Sequence, residues 1–373
     1  MQGLYVHLPF CRQKCHYCDF RTVAHGEKRI DAYMEALTRE LRFMAQHFHT
    51  KEWTTLYLGG GTPSFVPVKK LKIWMDTFYR YYPKVESEVT LEANPEDITK
   101  ENIREWKSMG INRISIGLQS TDEKMVKKCG RAFISDWKER IRWLREEGIL
   151  NFSLDLLLAL PSQRMQDVEK MTDQILDIKP PHLSVYSLIL EEKTYFGYLA
   201  RQGKLLLPDE DLERNLVHYV TERLKNAGYN HYELSNFALP GYEAIHNSFY
   251  WERIPYLGLG LGAASHWEEL RWKNSDSLQR YLKLAGTEEL WEDKEKIGMV
   301  EAMSEALILG LRKIEGVEIS RLKNRYDEKI FEEFKRDIRK NIQRGILERH
   351  GDRLCLSPKG IDLGDIANRD FFR

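Results

Sequence analysis

The sequence predicts an α/β fold, a partial (β/α)6 barrel followed by a smaller α+β, winged-helix-like domain. Short apolar and β-branched segments alternate with helical patterns through the first half of the 373 residues. Glycines and polar residues repeatedly follow the ends of those segments. The alternation stops near residue 190, and the chain finishes with two helical patterns and a hairpin pattern.

Six segments are predicted as parallel strands, and they cover residues 4–8, 55–58, 88–92, 113–118, 152–158 and 183–189. Apolar side chains at three- and four-residue spacing predict helices that begin near Ile30 and Ser135, and another over 166–178. We favour a barrel over a doubly wound sheet because the polar residues gather at the carboxyl ends of the strands.

The second half of the sequence predicts a different organisation. A long amphipathic helix over 207–229 precedes a strand over 231–237 and a glycine- and aromatic-rich connector over 238–267. Two helices and a hairpin that turns at Gly351–Asp352 follow. We therefore divide the chain into a core barrel (1–205), a connecting segment (206–290) and a C-terminal domain (291–373). The last shows no strong basic excess, so we expect a structural or lid role rather than DNA binding.

Composition excludes several classes of protein. Lys and Arg number 57 and Asp and Glu also number 57, so no net charge attracts nucleic acid or an anionic membrane. The sequence shows neither a signal-type start nor an apolar window of about 18 residues, which predicts a soluble cytoplasmic protein. Five cysteines, three of them clustered, favour a metal site over disulfides, and Cys129 and Cys355 are predicted to be ordinary thiols.

The clustered cysteines lie in "CRQKCHYCDF", a loop after the first predicted strand, with the spacing C-x3-C-x2-C. Zinc takes four protein ligands, so a zinc site would have to recruit His16 or His25. An electron-transfer [4Fe–4S] cluster takes four thiolates, one for each iron. Three cysteines would leave one iron open, and an open iron can bind a ligand on which chemistry is done.

Residues after the later strands could hold such a ligand. "LYLGGGTP" places glycines where a backbone can approach a ligand closely, although a tight turn alone would also explain them. Arg131 could pair with a carboxylate, while Glu92 and Asp155 could accept hydrogen bonds from an ammonium group or from ribose hydroxyls. This set suits a zwitterionic nucleoside.

Several segments together resemble one family, and they are "LYVHLPFCRQKCHYCDF", "YLGGGTPS", "EANPE", "RISIGLQS", "HLSVYSLILEE", "YELSNFA", "HNSFYW" and "YLGLGLGAASHW". In this order they resemble the oxygen-independent coproporphyrinogen III oxidase-like branch of radical S-adenosylmethionine (SAM) proteins, over residues 4–316. The resemblance implies a TIM-type radical SAM barrel with a [4Fe–4S] cluster on Cys11, Cys15 and Cys18. The residues it implies for SAM binding are Tyr5, Gly60, Gly61, Thr62, Glu92, Gln119, Arg131, Asp155 and Ile189.

Two features favour one subgroup of this branch. The decarboxylases carry another cysteine where this chain has Phe20, and they carry an N-terminal extension, whereas Tyr5 here lies four residues after Met1. In both features the chain resembles the haem-chaperone subgroup. This resemblance implies haem as a ligand and haem-receiving proteins as partners. "HNSFYW" is similar to the haem-associated stretch of that subgroup and makes His246 the predicted haem ligand. Packing of that ring is the alternative, and His231 and His266 are lesser candidates.

The sequence also departs from the family and leaves other functions open. Phe133 stands where most members have a histidine, and "LLALPSQ" over 157–163 replaces a glycine-containing segment. The alternatives are oxidative decarboxylation of coproporphyrinogen III, another radical SAM reaction on a tetrapyrrole, and a structural metal site. Cleavage of SAM, formation of a homodimer and peripheral association with a membrane also stay open.

Overall fold

The computed structural model describes residues 1–48, 50, 52–363 and 365–373. Its strands are β1 (Gly3–Leu8), β2 (Phe10–Cys11), β3 (Val23–Ala24), β4 (Trp53–Gly60), β5 (Val85–Ala93), β6 (Arg113–Gln119), β7 (Asn151–Leu158), β8 (His182–Ser187), β9 (Asn230–Glu233), β10 (Asn236–Ala238), β11 (Tyr256–Leu259), β12 (Ala264–Trp267), β13 (Leu270–Asn274), β14 (Trp291–Lys296), β15 (Val317–Glu318), β16 (Leu347–His350) and β17 (Arg353–Leu356).

The α-helices are α1 (Ile30–His47), α2 (Val68–Tyr81), α3 (Lys100–Ser108), α4 (Glu123–Lys128), α5 (Trp137–Glu146), α6 (Met165–Ile178), α7 (Tyr195–Arg201), α8 (Glu210–Asn226), α9 (Ile245–Trp251), α10 (Leu278–Leu284), α11 (Met299–Gly310), α12 (Ile319–Tyr326), α13 (Glu328–Gln343), α14 (Pro358–Asp362) and α15 (Asp365–Phe371). Short 3-10 turns cover Glu27–Arg29, Pro63–Phe65, Pro95–Asp97 and Glu288–Leu290.

The main sheet has the strand order β14-β13-β12-β11-β1-β4-β5-β6-β7-β8-β10-β9. Its centre confirms the predicted barrel, since β1, β4, β5, β6, β7 and β8 are parallel neighbours in chain order. The sixth strand ends at Ser187, two residues earlier than the sequence predicted. Parallel pairing sends the carboxyl ends of all six strands to one rim, where the cysteine loop also begins.

The prediction of a connecting loop over 238–267 is wrong, because this segment contains α9, β11 and β12. β11 pairs in parallel with β1 and adds a seventh parallel strand to the sheet. The glycines that suggested a loop instead serve close packing: a Cβ on Gly258 would lie 2.2 Å from the Ala264 oxygen across the strand pair. The predicted strand over 231–237 is likewise two strands, β9 and β10, joined by a tight turn.

The helices bury one face each against the sheet. α1 presents Tyr33, Leu37 and Leu41 to the core at helical spacing, and all three are fully buried. Each such side chain stabilises the fold by about 1.5–3 kcal/mol relative to an exposed one. The helices predicted near Ile30, Ser135 and over 166–178 are confirmed as α1, α5 and α6.

A second hydrophobic core begins at Ile297, just beyond β14. It joins α11, α12 and α13 to the three-stranded sheet β15-β17-β16, and the β16–β17 hairpin turns at Gly351, as predicted, where φ is +62°. The shape is the predicted winged-helix-like one. The division at residues 205 and 290 stays a prediction, and the main sheet itself continues through 206–290.

Candidate cluster and cofactor site

The three cysteines lie on the loop that starts at β2. Cys11 is buried, whereas Cys15 and Cys18 are half-buried, and the Cys18 N–H donates to the Cys15 carbonyl at 3.2 Å. Burial raises the pKa of Cys11 to about 11, and the neighbouring Cys15 and Cys18 add to the rise, while the Thr62 hydroxyl, 3.6 Å from its sulfur, opposes it. The thiols are close enough to influence one another's charge.

This arrangement fits a cluster better than a single metal ion. Among the residues that the structure describes, no three His, Cys, Asp or Glu side chains converge to hold one ion. A [4Fe–4S] cluster uses one thiolate for each iron, so its thiols do not need to converge on a point. His16, a candidate zinc ligand, directs Nδ1 to the Lys128 carbonyl at 2.7 Å. The donor set therefore suits the cluster that the resemblance implied.

The glycine turn after β4 is required by packing within the chain. Gly60 has φ +116°, and a Cβ there would meet the His7 ring at 2.6 Å. A Cβ on Gly61 would lie 2.7 Å from the Pro9 backbone, at the start of the cysteine loop. The tight-turn interpretation thus explains these glycines, while the Gly60 N–H still faces the rim and donates to Glu92 at 3.0 Å.

Arg131 lies directly beside the cysteine loop. Its Nη2 donates to the Asn94 side-chain oxygen at 2.6 Å and to the Gly117 carbonyl at 2.7 Å, while Nη1 is 3.5 Å from the Cys15 sulfur. The guanidinium is thus oriented on two sides, and Nη1 points toward the thiols. A positive charge here favours thiolates and any carboxylate bound next to them.

Glu92 lies on β5 and Asp155 lies on β7, close enough for the charge of Asp155 to act on Glu92. Glu92 accepts from the Tyr57 hydroxyl at 2.8 Å, and burial, with a smaller contribution from Asp155, raises the pKa of Glu92 to about 7. Asp155 accepts from the Ser115 and Ser153 hydroxyls at 3.2 Å, and burial raises its pKa as well. Two half-buried carboxyls with raised pKa values would each gain from a bound cation or hydroxyl donor.

The remaining predicted SAM residues lie around this rim. The Tyr5 hydroxyl is 2.9 Å from His7 Nδ1, and its pKa is raised by burial and by Glu92. Gln119 ends β6 in the left-handed region, at φ +66°, and a Cβ on Gly117 would lie 3.0 Å from its side-chain nitrogen. Ile189 follows β8 and is 72% exposed, so it is free to cover a flat ligand.

His246 does not lie on this rim. It is the second residue of α9, is 1% exposed and stacks on Tyr57 with ring centroids 5.0 Å apart. Nδ1 is bonded to the Thr55 hydroxyl at 2.8 Å and Nε2 to the Tyr250 hydroxyl at 2.9 Å, while burial lowers the pKa to about 3. Both nitrogens are engaged, so this histidine would have to break a bond before it could ligate iron. Its haem-ligand role stays a prediction.

The two lesser histidine candidates are also engaged. His231 Nε2 is 3.2 Å from the Leu234 carbonyl, and the ring stacks on Phe237. His266 Nε2 accepts from Arg253 at 3.3 Å, and burial, with that cation, lowers its pKa to about 4. Neither belongs to the rim of the cysteine loop.

Sequence reasoning missed the residues that orient the predicted ones. Asn94 joins Arg131 to Thr62, with 3.4 Å between its amide nitrogen and the threonine hydroxyl. A Cβ on Gly117 would lie 3.1 Å from Arg131, so this strand glycine makes room for the guanidinium. A glycine inside the strand-like "RISIGLQS" was the available signal for such a close approach.

Comparisons with known proteins agree with this geometry. They identify the class of protein to which the chain belongs. A family model described as the radical SAM superfamily matches residues 5–175, and one described as the HemN C-terminal domain matches 300–363. A solved structure of coproporphyrinogen III oxidase (HemN) from Escherichia coli, a radical SAM enzyme, aligns with a TM-score of 0.87 at 20% identity, covering 99% of this chain and 89% of that one. The fold is thus that of a radical SAM protein.

The curated relatives make the assignment more specific. Heme chaperone HemW of Lactococcus lactis is 37% identical over 97% of this chain and 94% of its own length. Heme chaperone HemW of Bacillus subtilis is 32% identical over 98% and 97%. This chain belongs to the HemW family of radical SAM proteins.

Proposed function

We propose that this protein binds haem and delivers it to haem-requiring proteins, and that it carries a [4Fe–4S] cluster and SAM. The full-length similarity to relatives named heme chaperone carries the proposal. Phe20 agrees with it: the side chain is 65% exposed next to the cysteine loop, at the position where the resemblance expects a cysteine in decarboxylases.

The cluster and SAM would occupy the cysteine rim. When bound, the cluster would supply an iron with an open position for SAM. Arg131 would hold the SAM carboxylate in that position, because Asn94 and Gly117 already orient its guanidinium. Glu92 would accept hydrogen bonds from the amino group, and Asp155 from the ribose.

Anaerobic reconstitution followed by parallel assays tests this function. We expect one haem per chain, detected as a Soret band, and transfer of that haem to an added apo-protein. We expect no protoporphyrinogen from coproporphyrinogen III in the presence of SAM and reductant. Turnover of coproporphyrinogen without stable haem binding would instead identify the decarboxylase, and an altered haem mass would identify a haem-modifying enzyme.

The cellular setting belongs to the same proposal. No helix among the described residues combines the length and the apolar character needed to span a bilayer. We propose a cytoplasmic location, with docking to a membrane only through a haem-receiving protein. Sedimentation with anionic vesicles should therefore leave the protein in the supernatant, and light scattering with and without haem would test the formation of a homodimer.

A further inference from the structure

A cavity separates the end of α9 from the C-terminal domain, away from the cysteine loop. Its empty volume, including space open to solvent, is about 620 Å³. Trp251 and Glu252 form one wall, and α12 forms the opposite wall with Arg321 and Arg325. We call this space the α9–α12 cavity. The site described above uses none of these residues.

The residues of the "HNSFYW" segment contact two different parts of the structure. His246 and Tyr250 lie one turn apart on α9 and bond to each other at 2.9 Å inside the barrel. Trp251, the last residue of α9, lines the cavity instead. Its indole nitrogen is buried and has no hydrogen-bond partner in the part of the chain that the structure describes, and the Arg312 guanidinium lies 4.4 Å from its ring centroid. A large aromatic residue is thus fixed at this wall.

The charges in the cavity are unequally matched. Four cationic and three acidic side chains line it. Lys313 contacts Glu252 and Glu315 at 3.1 and 3.2 Å, and Arg353 bonds to Glu315 and Glu318 at 2.9 and 2.7 Å. These two cations are therefore neutralised within the protein.

The two α12 arginines are not neutralised in this way. Arg321 reaches Glu252 only at 3.7 Å and is 60% exposed. Among the described residues, Arg325 donates only to the carbonyls of Glu252 and Arg253, each at 3.3 Å. At positions i and i+4 of one helix they lie on one face, roughly 6 Å apart at Cβ. Two guanidiniums with spare donors at this spacing suit a pair of neighbouring carboxylates.

We propose that the α9–α12 cavity binds the carboxylate-bearing edge of a tetrapyrrole, with Arg321 and Arg325 pairing to its two propionates. The indole of Trp251 and the apolar wall formed by Val317 and Leu322 would contact the adjacent ring. Because the cavity opens to solvent, the opposite edge of the macrocycle stays accessible to a haem-receiving protein. This inference rests on the proposed function and adds the binding site and the recognised group.

A titration with two ligands tests it. Haem and its dimethyl ester, which lacks the two negative charges, are added in matched detergent to wild type and to Arg321→Ala/Arg325→Ala, and binding is followed at the Soret band. Wild type should bind haem roughly 10- to 100-fold more tightly than the ester. The double variant should lose this preference. Arg336→Ala/Arg339→Ala, which removes two exposed arginines from α13, is the control and should keep it.

Each outcome has a defined meaning. A double variant that keeps the wild-type preference for haem, with an unchanged thermal melt, would overturn the cavity assignment while leaving haem binding intact. Wild type that binds neither ligand would overturn the proposed function and the cavity with it. Loss of preference in the control as well would show that net charge, and not the α12 pair, discriminates the ligands, and would also reject the assignment.

Discussion

The cysteine rim and the surroundings of His246 are both polar. They differ in whether their polar groups already have all their hydrogen-bond or charge partners. On the rim, Arg131 points one nitrogen at a thiol, and Glu92 keeps a raised pKa despite two donors. Around His246, both ring nitrogens are bonded and the backbone N–H donates to the buried Glu88. Groups with spare capacity indicate a ligand site, whereas a satisfied buried ring indicates a structural role.

The largest effect should follow from the loss of one rim thiol. Cys15→Ser should lower the iron content after anaerobic reconstitution from about four per chain to near zero, because a thiolate to each of three irons anchors the cluster. Iron and sulfide analysis with the visible spectrum measures this. Cys355→Ser, which replaces a buried thiol of the C-terminal domain, is the control, and this variant should bind as much iron as wild type. Equal iron in both variants would remove the cluster from this loop.

Removal of the His246 side chain should lower the stability of the fold. His246→Ala should lower the free energy of unfolding by about 2–4 kcal/mol, since it leaves a cavity and removes the partner of the Thr55 hydroxyl. Haem affinity should stay unchanged if the ring only packs, and it should fall if His246 has the predicted ligand role. Denaturant unfolding and Soret titration measure the two effects. His231→Ala, with one long bond, should cost less. A stable variant with a displaced Soret band and weaker haem binding would identify His246 as the iron ligand.

Arg131 should act on SAM binding, and its removal should also cost some stability because the Asn94 and Gly117 oxygens lose a donor. Arg131→Met should weaken SAM binding to the reconstituted protein by about 1.5–3 kcal/mol, the value of hydrogen bonds to a charged group. Isothermal titration under anaerobic conditions measures it. Arg104→Met removes an exposed arginine paired with Glu147 and should bind SAM normally. Unchanged affinity in Arg131→Met would place the SAM carboxylate elsewhere.

A smaller effect should come from Glu92 in the ligand-free protein. Its folded pKa of about 7 lies above the ordinary 4.5, so the folded state holds the proton more tightly and loses stability as pH rises from about 4.5 to 7. Glu92→Gln should reduce the loss of unfolding free energy between pH 5 and pH 8 by roughly 1 kcal/mol, after allowance for its partial exposure. Denaturant unfolding at a series of pH values measures this. If the unfolding free energies of wild type and variant change in parallel with pH, the raised pKa of Glu92 is contradicted.

Much of the fold was readable from local pattern, and the exceptions have physical reasons. Alternating strand and helix signals predicted the six parallel strands, because strands such as β1, β6 and β7 are buried along most of their length and rich in apolar residues. β11 escaped prediction because "YLGLG" carries glycines that normally mark loops. Here Gly258 is required by close pairing with β12, which only the tertiary contact reveals.

The candidate site was predictable in its charged and thiol residues and not in its supports. The spacing of Cys11, Cys15 and Cys18 identified the loop, and strand-end position identified Glu92 and Asp155. Asn94 gave no separate signal, since its role depends on Arg131 arriving from a distant part of the chain. The bonds of His246 were equally invisible, because Thr55 is 191 residues away.

One measurement tests the central claim, that the cluster and haem occupy different regions of this chain. Haem is titrated into the reconstituted wild type and into Cys11→Ser/Cys15→Ser/Cys18→Ser, with the Soret band as readout and circular dichroism as a check of folding. We expect one haem per chain with the same affinity in both proteins, although the variant holds no cluster. Loss of haem binding in a folded variant would contradict the claim and move haem to the cysteine rim.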